Sequence, residues 1–340
     1  MPLQRPLFFP KNGSCMKKLL LLGRSGFVGS CISDLWSNSK SLSSTIDLYS
    51  TSRDATKGFG PLDKSALLQW DVLESAPKLP VFDVIVHAAT PASSILNVSQ
   101  PQLMFKQIVL GMENVIELAS RCKVPPVVLF TSSGAVYGDI PQELERIPED
   151  WNRELDSQPL TSAYARGKVV AESMLKEATE AGKCVGLIAR LFAFSGVHLP
   201  IEKHFAIGNF VRDVVQSQFI TIRSDGSSVR SYMDGHDLAL WLLRIVAVGS
   251  PDEIYHVGSE RAISIRDLAS LVAERFEILT NQAAQIEILG KSSPLDGVYR
   301  YVPSTYRTRQ LLGLDETVTL ETSIDQMILH TINTGLKQEK

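Results

Sequence analysis

The chain has 340 residues, of which 44% are hydrophobic and 21% charged, and its formal net charge is −3. This length suffices for one large or two medium domains with a substantial core. The small net charge gives no reason to expect nucleic acid or an anionic membrane as a partner.

The cysteines and the apolar runs exclude disulfide-rich, metal-binding and membrane-spanning classes of protein. Four cysteines are scattered without a Cys-x-x-Cys pair, so we expect a reducing, cytoplasmic setting and neither a disulfide framework nor a metal site. No apolar run approaches the roughly 18 residues of a membrane helix, so no membrane partner is expected. Residues 1–15 contain three prolines and are predicted to be a loose N-terminal tail.

A short apolar strand and a glycine turn open the regular part of the chain. Leu19 to Leu22 has the length of a buried strand, and three glycines follow at three-residue spacing before a helical pattern. Glycine can turn sharply, admit a pyrophosphate near the backbone and let the helix pack on its strand, while the helix N-terminus offers free N–H groups. The alternative is a plain strand–helix turn. We predict a dinucleotide site formed by Gly23, Arg24, Ser25, Gly26, Phe27, Val28 and Gly29.

Strands and helices alternate after this turn. Further strands are predicted over 46–50, 67–72, 81–89, 127–130 and 185–190, and a helix over about 100–121. This alternation indicates the α/β class, with a Rossmann-type, doubly wound parallel sheet and right-handed crossovers.

The remainder of the chain is less regular. Helices are predicted over 205–215, 238–248, 265–276 and 317–331, and strands over 219–222 and 254–258. The shorter elements and longer loops indicate a smaller mixed α/β domain that lies over the ends of the sheet strands.

Two arginines bear on the choice of cofactor. Arg53 lies just beyond the second strand, where an acidic residue usually binds the ribose of NAD and an arginine accommodates the 2′-phosphate of NADP. Arg24 in the glycine turn could reach the same phosphate. We therefore favour NADP over NAD, although both arginines could instead be solvated surface residues.

Tyr164, Lys168 and Ser133 form the candidate catalytic set. Tyr164 and Lys168 are four residues apart and share one face of a helix. A free tyrosine titrates near pH ~10, and a nearby ammonium lowers that pKa. Ser133, at a strand end, can hydrogen-bond a substrate carbonyl or hydroxyl while the tyrosine exchanges a proton and a nicotinamide exchanges a hydride.

Residues at the carboxyl ends of parallel strands share one edge of the sheet, where ligands bind. His87 lies near the end of the fourth strand, and we interpret its side chain as that of an ordinary strand-end histidine whose backbone passes the cofactor. Further expected cofactor contacts at this edge are Ala88, Ala89, Thr131 and Arg190.

Taken in order, the motifs resemble the extended short-chain dehydrogenase/reductases of the nucleotide-sugar epimerase/dehydratase group. The resemblance covers roughly residues 17–335. Its motifs are GRSGFVG (23–29), WDV (70–72), HAAT (87–90), TSSGAVYG (131–138), YARGK (164–168), RLFAFSG (190–196), RSYMDGHDLA (230–239) and YHVGS (255–259).

The resemblance implies roles residue by residue. Ser133 matches the catalytic serine or threonine, Tyr164 the acid/base, and Lys168 the lysine that binds the ribose and lowers the tyrosine pKa. Asp71 and Val72 match adenine contacts. Implied substrate contacts are Arg230 at the nucleotide diphosphate, Asn209 and Arg300 near the nucleotide, Thr90 and Ser93 at the hexose, and Ser132 beside Ser133. The implied domains are a dinucleotide-binding unit (16–190 plus about 229–258) and a nucleotide-sugar unit (about 191–228 plus 259–340).

Departures from the family pattern reduce the number of reactions that the chain is expected to catalyse. Family 4,6-dehydratases carry an Asp-Glu pair directly after the catalytic serine or threonine, where this chain has Gly134 and Ala135. That difference argues against a 4,6-dehydratase and against a decarboxylase that needs a glutamate there. Ala193 stands where the family usually has asparagine, and the asparagine that many relatives carry in the fourth helix has no clear match near Gln107–Gly111.

These observations favour hydride transfer at C4 of a nucleoside diphosphate hexose. The preferred hypothesis is an NADPH-consuming 4-ketoreductase that makes a deoxysugar for surface polysaccharide. The alternatives are a C4 epimerase with retained NAD, less favoured a dehydratase, and a dinucleotide-sensing binding module. Family analogy further implies a homodimer through a four-helix interface near 100–120 and 164–180.

Overall fold

The computed structural model describes residues 16–53, 66–91, 94–141, 143–151, 162–202, 205–291 and 299–335. Its strands are β1 Lys17–Leu22, β2 Ile46–Ser52, β3 Ala66–Gln69, β4 Val84–His87, β5 Val127–Ser133, β6 Val185–Leu191, β7 Phe194–Ser195, β8 Phe219–Ile222, β9 Val229–Arg230, β10 Met233–Asp234, β11 Ile254–Val257, β12 Ile263–Ser264, β13 Gln285–Ile288 and β14 Arg300–Tyr301. Its α-helices are α1 Phe27–Asn38, α2 Lys40–Ser43, α3 Ser94–Ser99, α4 Pro101–Ser120, α5 Ala163–Glu180, α6 Ala206–Ser217, α7 Gly235–Val248, α8 Ile265–Thr280, α9 Tyr306–Leu312 and α10 Leu320–Thr334, and a 3₁₀ turn spans Gly134–Tyr137.

Seven parallel strands form the main sheet in the order β3-β2-β1-β4-β5-β6-β11. The strand order reverses between β1 and β4, which is the switch point where open α/β sheets bind ligands. The predicted Rossmann-type α/β fold is thereby confirmed. The late strand β11 joins the edge of this sheet beside β6.

The central strand β1 is buried on both faces. Leu19 and Leu21 pack in one hydrophobic core with α1 and α7, while Leu20 and Leu22 pack in a second core with α4 and α5. Burial on both sides explains why this strand is a continuous apolar run and does not alternate.

A third core lies in the C-terminal part of the chain. It contains buried residues of α6, α8 and α10, together with Ile220 and Ile222 of β8. Strand β8 pairs with β13, and β9 lies between β12 and β14. The domain boundaries stay a prediction, and the N-terminal tail at 1–15 lies outside the described residues.

Several elements differ in length from the sequence prediction. Strand β5 continues to Ser133, so the Thr-Ser-Ser segment belongs to the strand itself. Helix α7 begins at Gly235, three residues before the predicted start, because the Asp234 carboxylate accepts the His236 N–H at 2.7 Å and caps the first turn. Within the described ranges, no helix is long and apolar enough to cross a bilayer.

Candidate active site

The glycine turn between β1 and α1 is closely packed. Gly23 has φ +89°, and a Cβ there would lie 2.6 Å from the Ala88 carbonyl oxygen. A Cβ on Gly29 would lie 2.2 Å from the Gly23 carbonyl oxygen. Both positions therefore require glycine, one for its backbone conformation and both for the contact.

The N-terminus of α1 fits the diphosphate of a dinucleotide. Gly26 caps the helix without a side chain, and the first turn holds no acidic residue. A Cβ on Gly26 would meet only the Gly23 carbonyl oxygen, at 3.4 Å, so the space above the turn is open. Free N–H groups at a helix start attract an anion, and the backbone here lets it approach.

The predicted adenine contacts lie in a loop that α4 holds in place. The Asn114 amide donates to the Val72 carbonyl at 2.8 Å, and the Asp71 carboxylate accepts the Leu73 N–H at 3.0 Å. Arg53 is exposed at the end of β2, and Arg24 is half-buried in the glycine turn. Arg53 therefore lies just beyond the end of the second strand, and Arg24 just beyond the end of the first.

Ser133 ends β5 and caps the following 3₁₀ turn. Its Oγ accepts the Ala135 N–H at 3.1 Å. The Tyr301 hydroxyl lies 2.7 Å from where a Cβ of Gly134 would be, and the Ser133 hydroxyl opposes the rise that burial causes in the pKa of both Tyr164 and Tyr301. We call Ser133, Tyr164 and Tyr301 the hydroxyl cluster. It brings together two of the three predicted catalytic residues and one residue from β14.

Tyr164 lies in the first turn of α5, and the Asn97 side chain accepts its N–H at 2.9 Å. Burial raises the pKa of Tyr164 above its usual value, and the hydrogen bond with Ser133 opposes this rise. The sequence predicted a pKa lowered by Lys168. In the structure the effect of burial is larger, and Ser133 is the group that favours the phenolate.

Lys168 lies one turn further along α5 and is 1% exposed. Its ammonium donates to the Thr131 carbonyl at 2.6 Å and to the Thr90 hydroxyl at 2.7 Å, and it lies 5.5 Å from the centre of the Tyr164 ring. Burial lowers the pKa of Lys168 to about 7, although the Glu172 carboxylate opposes this shift. The hydroxyl of Thr90, a predicted substrate contact, therefore accepts a hydrogen bond from Lys168.

His87 ends β4 and is completely buried. Its ring stacks on Phe130, with ring centres 5.5 Å apart. Among the described residues, no group hydrogen-bonds either ring nitrogen. Burial and the charge of Lys168 lower the pKa of His87 to about 3, so its ring is neutral. Its carbonyl accepts the Thr131 hydroxyl at 3.1 Å.

Ser132 faces away from the hydroxyl cluster because successive strand residues point to opposite faces. It is 2% exposed, and its hydroxyl donates to the Glu172 carboxylate at 2.5 Å. Glu172 also accepts two hydrogen bonds from Arg190, at 3.0 and 2.7 Å. This placement argues against the predicted substrate contact of Ser132 and the predicted cofactor contact of the Arg190 side chain.

The ionic contacts continue to β11. Arg190 donates to the Tyr137 hydroxyl at 2.8 Å, and that hydroxyl lies 2.5 Å from Nε2 of His256. Nδ1 of His256 lies 2.9 Å from the Ser304 carbonyl oxygen, which can only accept, so Nδ1 carries the proton and Nε2 accepts from Tyr137. We call Ser132, Glu172, Arg190, Tyr137 and His256 the buried ionic network.

The remaining predicted substrate residues lie in the C-terminal part of the chain. The guanidinium of Arg230 lies 4.5 Å from the Tyr299 ring centre and 5.8 Å from that of Tyr301. Arg300 lies in β14, which pairs with β9. Asn209 is half-buried in α6 and accepts a hydrogen bond from Arg212 at 3.2 Å. Ser93 lies outside the described residues.

Sequence reasoning missed Tyr301, Glu172 and the pairing of Tyr137 with His256. A signal existed for the glutamate, since Glu172 is one helical turn beyond Lys168 and Arg190 lies opposite Ser132 in the β5–β6 register. No local pattern marks Tyr301, which is 168 positions after Ser133 in the chain.

Comparisons with known proteins agree with this architecture. The chain is 28% identical over 328 residues to UDP-glucuronic acid decarboxylase 5 of Arabidopsis thaliana, covering 96% of this chain and 91% of the relative. RMD of Pseudomonas aeruginosa, solved with NADPH, superposes with a TM-score of 0.74 at 21% identity, over 94% of this chain and 99% of that one. UDP-glucose 4-epimerase of Thermotoga maritima, solved with UDP-glucose, gives 0.76 at 17% identity, over 93% and 99%. These two likenesses show the fold alone.

A family model matches residues 19–258, which hold the glycine turn, the hydroxyls of Ser133 and Tyr164, and Lys168. That match covers more than half of the chain. The chain therefore belongs to the NAD dependent epimerase/dehydratase family, and it is an enzyme of that family.

Proposed function

We propose that the enzyme transfers a hydride at C4 of a nucleoside diphosphate hexose, and that it acts as an NADPH-dependent 4-ketoreductase. The observation that supports this proposal is that Ser133 ends β5 at the carboxyl edge of the sheet, and that its hydroxyl favours the phenolate of Tyr164 in the first turn of α5. Lys168 and a glycine turn that fits a dinucleotide diphosphate lie at the same edge. One hydroxyl to hold the substrate oxygen and one to exchange its proton are what reduction of a ketone requires.

The roles of the side chains follow from this arrangement. Ser133 orients the C4 oxygen of the substrate, and Tyr164 gives that oxygen a proton. Gly23–Gly29, Asp71–Val72 and Lys168 would hold NADPH, which would supply the hydride to C4. Lys168, fixed by Thr131 and Thr90, places positive charge beside Tyr164 in its protonated form.

The residues after Ser133 support reduction over elimination or decarboxylation. Gly134 and Ala135 offer no carboxyl group. A Cβ at position 134 would lie 2.6 Å from the Phe192 ring and 2.7 Å from the Tyr301 hydroxyl, so a larger side chain there would require both neighbouring side chains to shift. The curated relatives include decarboxylases by name, and this chain lacks the glutamate expected of that reaction.

The preference for NADP over NAD belongs to the same proposal. Arg53 is exposed at the end of β2, and Arg24 lies in the glycine turn. An arginine near the end of the second strand can accommodate a 2′-phosphate, which supports this preference. We expect the combined change Arg24→Ser and Arg53→Asp to shift the kcat/KM ratio from NADPH toward NADH; an unchanged ratio would remove the support for NADP.

Cofactor retention and turnover test the function. The purified protein is denatured and its released cofactor identified by mass, and the native protein is then assayed with UDP-, dTDP-, GDP- and CDP-hexoses and their 4-keto-6-deoxy derivatives. We expect NADPH consumption that depends on a 4-keto sugar. Stoichiometric bound NAD, with conversion of C4 epimers in the absence of added cofactor, would instead establish a 4-epimerase.

We also propose a homodimer through α4 and α5, in a cytoplasmic enzyme that serves polysaccharide synthesis. The two helices pack on each other, and part of their apolar surface stays accessible at Leu103, Val109, Leu110, Val170 and Met174. Light scattering of the purified protein measures the mass directly, and Leu110→Lys is expected to convert a dimer to a monomer. A monomeric wild-type protein would contradict this part of the proposal.

A further inference from the structure

The first turn of α5 has two separate caps. Ala163, Tyr164 and Ala165 begin the helix, so their N–H groups have no carbonyl partner within it. The hydroxyl of Ser162, the residue before the helix, accepts the Ala165 N–H at 3.3 Å. The Tyr164 N–H is donated to the Asn97 side chain at 2.9 Å. Ser162 therefore caps one N–H group of this turn, and Asn97 caps the N–H group of the tyrosine itself.

The hydrogen bonds around Asn97 agree in their donors and acceptors. Its amide oxygen accepts the Tyr164 N–H and also the Ser162 hydroxyl, which lies at 3.4 Å. Ser162 accepts from Ala165 through a lone pair and donates its one proton to Asn97, so no proton is used twice. Both neighbours of the Asn97 oxygen are donors, and the oxygen of the amide, not its NH₂ group, therefore faces α5.

Asn97 connects Tyr164 to a different part of the chain. It lies in α3, 67 positions before Tyr164 in the sequence. Its neighbour Leu96 packs against the second hydrophobic core, which also holds α4 and α5. The chain after β4 contacts α5 a second time, where Thr90 accepts from Lys168 at 2.7 Å. A cap from the preceding residue moves with α5, whereas the bond from Asn97 holds the Tyr164 backbone against α3.

We propose that Asn97 is a positioning residue that holds the Tyr164 backbone, and with it the Tyr164 hydroxyl, in place for proton transfer. This inference rests on the proposed reduction. In that step the C4 keto oxygen takes the Tyr164 proton as C4 takes the hydride, and Tyr164 is left as the phenolate. Proton transfer requires the donor within hydrogen-bond distance of the oxygen. Because a shift of about 1 Å can cost about 10²-fold in rate, an anchor on Tyr164 itself affects kcat directly.

The main test is Asn97→Leu, which keeps the approximate size of the side chain and removes the acceptor. Ser162→Ala is the matched control, because it removes the other cap of the same turn and leaves the Tyr164 N–H with its acceptor. Each variant is expected to lower Tm by about 1–3 °C. Only Asn97→Leu is expected to lower kcat, by about 5- to 20-fold, with KM for the sugar and for NADPH changed less than about twofold.

A conservative variant separates the loss of the acceptor from the loss of the asparagine. Asn97→Asp keeps an oxygen toward the Tyr164 N–H, and a negative charge is favourable at a helix N-terminus. Its kcat is expected to stay within about threefold of wild type. An equal fall of kcat in Asn97→Leu and Ser162→Ala would overturn the inference, since fraying of the helix would then be the cause. A fall in Asn97→Asp as large as in Asn97→Leu would also overturn it.

A measurement without substrate or cofactor keeps this inference distinct from the proposed function. In protein labelled with ¹³C at tyrosine Cζ, the Tyr164 signal is identified by its loss in Tyr164→Phe. Cζ lies on the axis of ring flips, so its chemical shift reports where the ring lies. The signal is expected to move or split in Asn97→Leu and to stay in Ser162→Ala. If no sugar of the panel is reduced but the signal responds in this way, the proposed reaction fails while the role of Asn97 stands; a signal that stays in Asn97→Leu overturns that role.

Discussion

Ser132 and Ser133 are neighbours in β5, but their hydroxyls belong to two different polar regions. In the buried ionic network, Ser132 donates to Glu172, which is also paired with Arg190. In the hydroxyl cluster, Ser133 lies with Tyr164 and Tyr301, and these three hydroxyl groups form no ion pair with one another. The network has fixed donors and acceptors, and the cluster has hydroxyls whose protons can be rearranged.

This difference separates stability from proton transfer. Burial alone would lower the pKa of Arg190, but hydrogen bonds and the charge of Glu172 raise it above its ordinary value. Arg190 therefore stays charged in the buried ionic network, and a change there should affect folding. In the cluster, burial raises the pKa of Tyr164 and Ser133 opposes this rise. Because Tyr164 is the proposed proton donor, a change in the cluster should affect the reaction rate.

The largest expected effect is in the hydroxyl cluster. Tyr164→Phe removes the group that gives the proton, and kcat is expected to fall by about 10²- to 10⁴-fold. Binding of NADPH, measured by fluorescence titration, should change by less than about twofold. Initial rates with the active sugar of the panel give kcat, and an unchanged value would exclude Tyr164 as the acid.

The buried ionic network should respond in stability. Glu172→Leu leaves the Arg190 guanidinium buried without its carboxylate, which is expected to cost about 3–5 kcal/mol in the free energy of unfolding. Urea denaturation measures this cost. The control is the double variant with Arg190→Met, which removes the unpaired charge and should recover much of the loss. Equal losses in the single and double variants would show that charge is not the cause.

Local sequence patterns predicted the sheet and the cofactor turn because these depend on residues close in the chain. The apolar run of β1, the glycine spacing and the four-residue separation of Tyr164 and Lys168 each express a local geometry. The strand–helix alternation then restricts the topology to a few parallel arrangements.

Contacts between distant segments were not predictable in the same way. The contact of Tyr301 with Ser133 depends on how β14 packs near the end of β5, and no local period records that packing. Arg190 lies near the carboxyl end of β6 as expected, but its side chain pairs with Glu172 of α5. Strand position alone could not distinguish a residue that faces a ligand from one that faces α5.

The two serines give a matched pair of intermediate effects. Ser133→Ala removes the hydroxyl that orients the substrate oxygen beside Tyr164, so kcat is expected to fall about 10- to 100-fold with little change in stability. Ser132→Ala removes one of the donors to Glu172 and should cost about 1–2 kcal/mol in unfolding free energy while kcat stays within about twofold. Kinetics and urea denaturation of both variants are compared. A large fall of kcat in Ser132→Ala would show that the buried ionic network also takes part in the reaction, and the separation of the two regions would be wrong.

The smallest effect concerns two histidines, His87 near Lys168 and His256 within the buried ionic network. Burial lowers the pKa of His87 and of His256 to about 3, although His256 has partners on both ring nitrogens and His87 has none among the described residues. A histidine whose folded pKa lies below its unfolded value of about 6.5 binds protons more readily when unfolded. Its contribution to stability is therefore complete above that pH and is lost as the pH falls toward about 3.

Between pH 7 and pH 5.5 each histidine should lower the unfolding free energy by about 1 kcal/mol. His87→Leu removes a titrating ring without removing a hydrogen bond, so its stability should fall with pH less steeply than wild type by that amount. The exposed His330 provides the control, because His330→Gln should keep the wild-type slope. Urea denaturation at both pH values measures the slopes. Parallel curves for wild type and His87→Leu would mean that His87 binds protons equally in both states, and its neutrality beside Lys168 would then no longer hold.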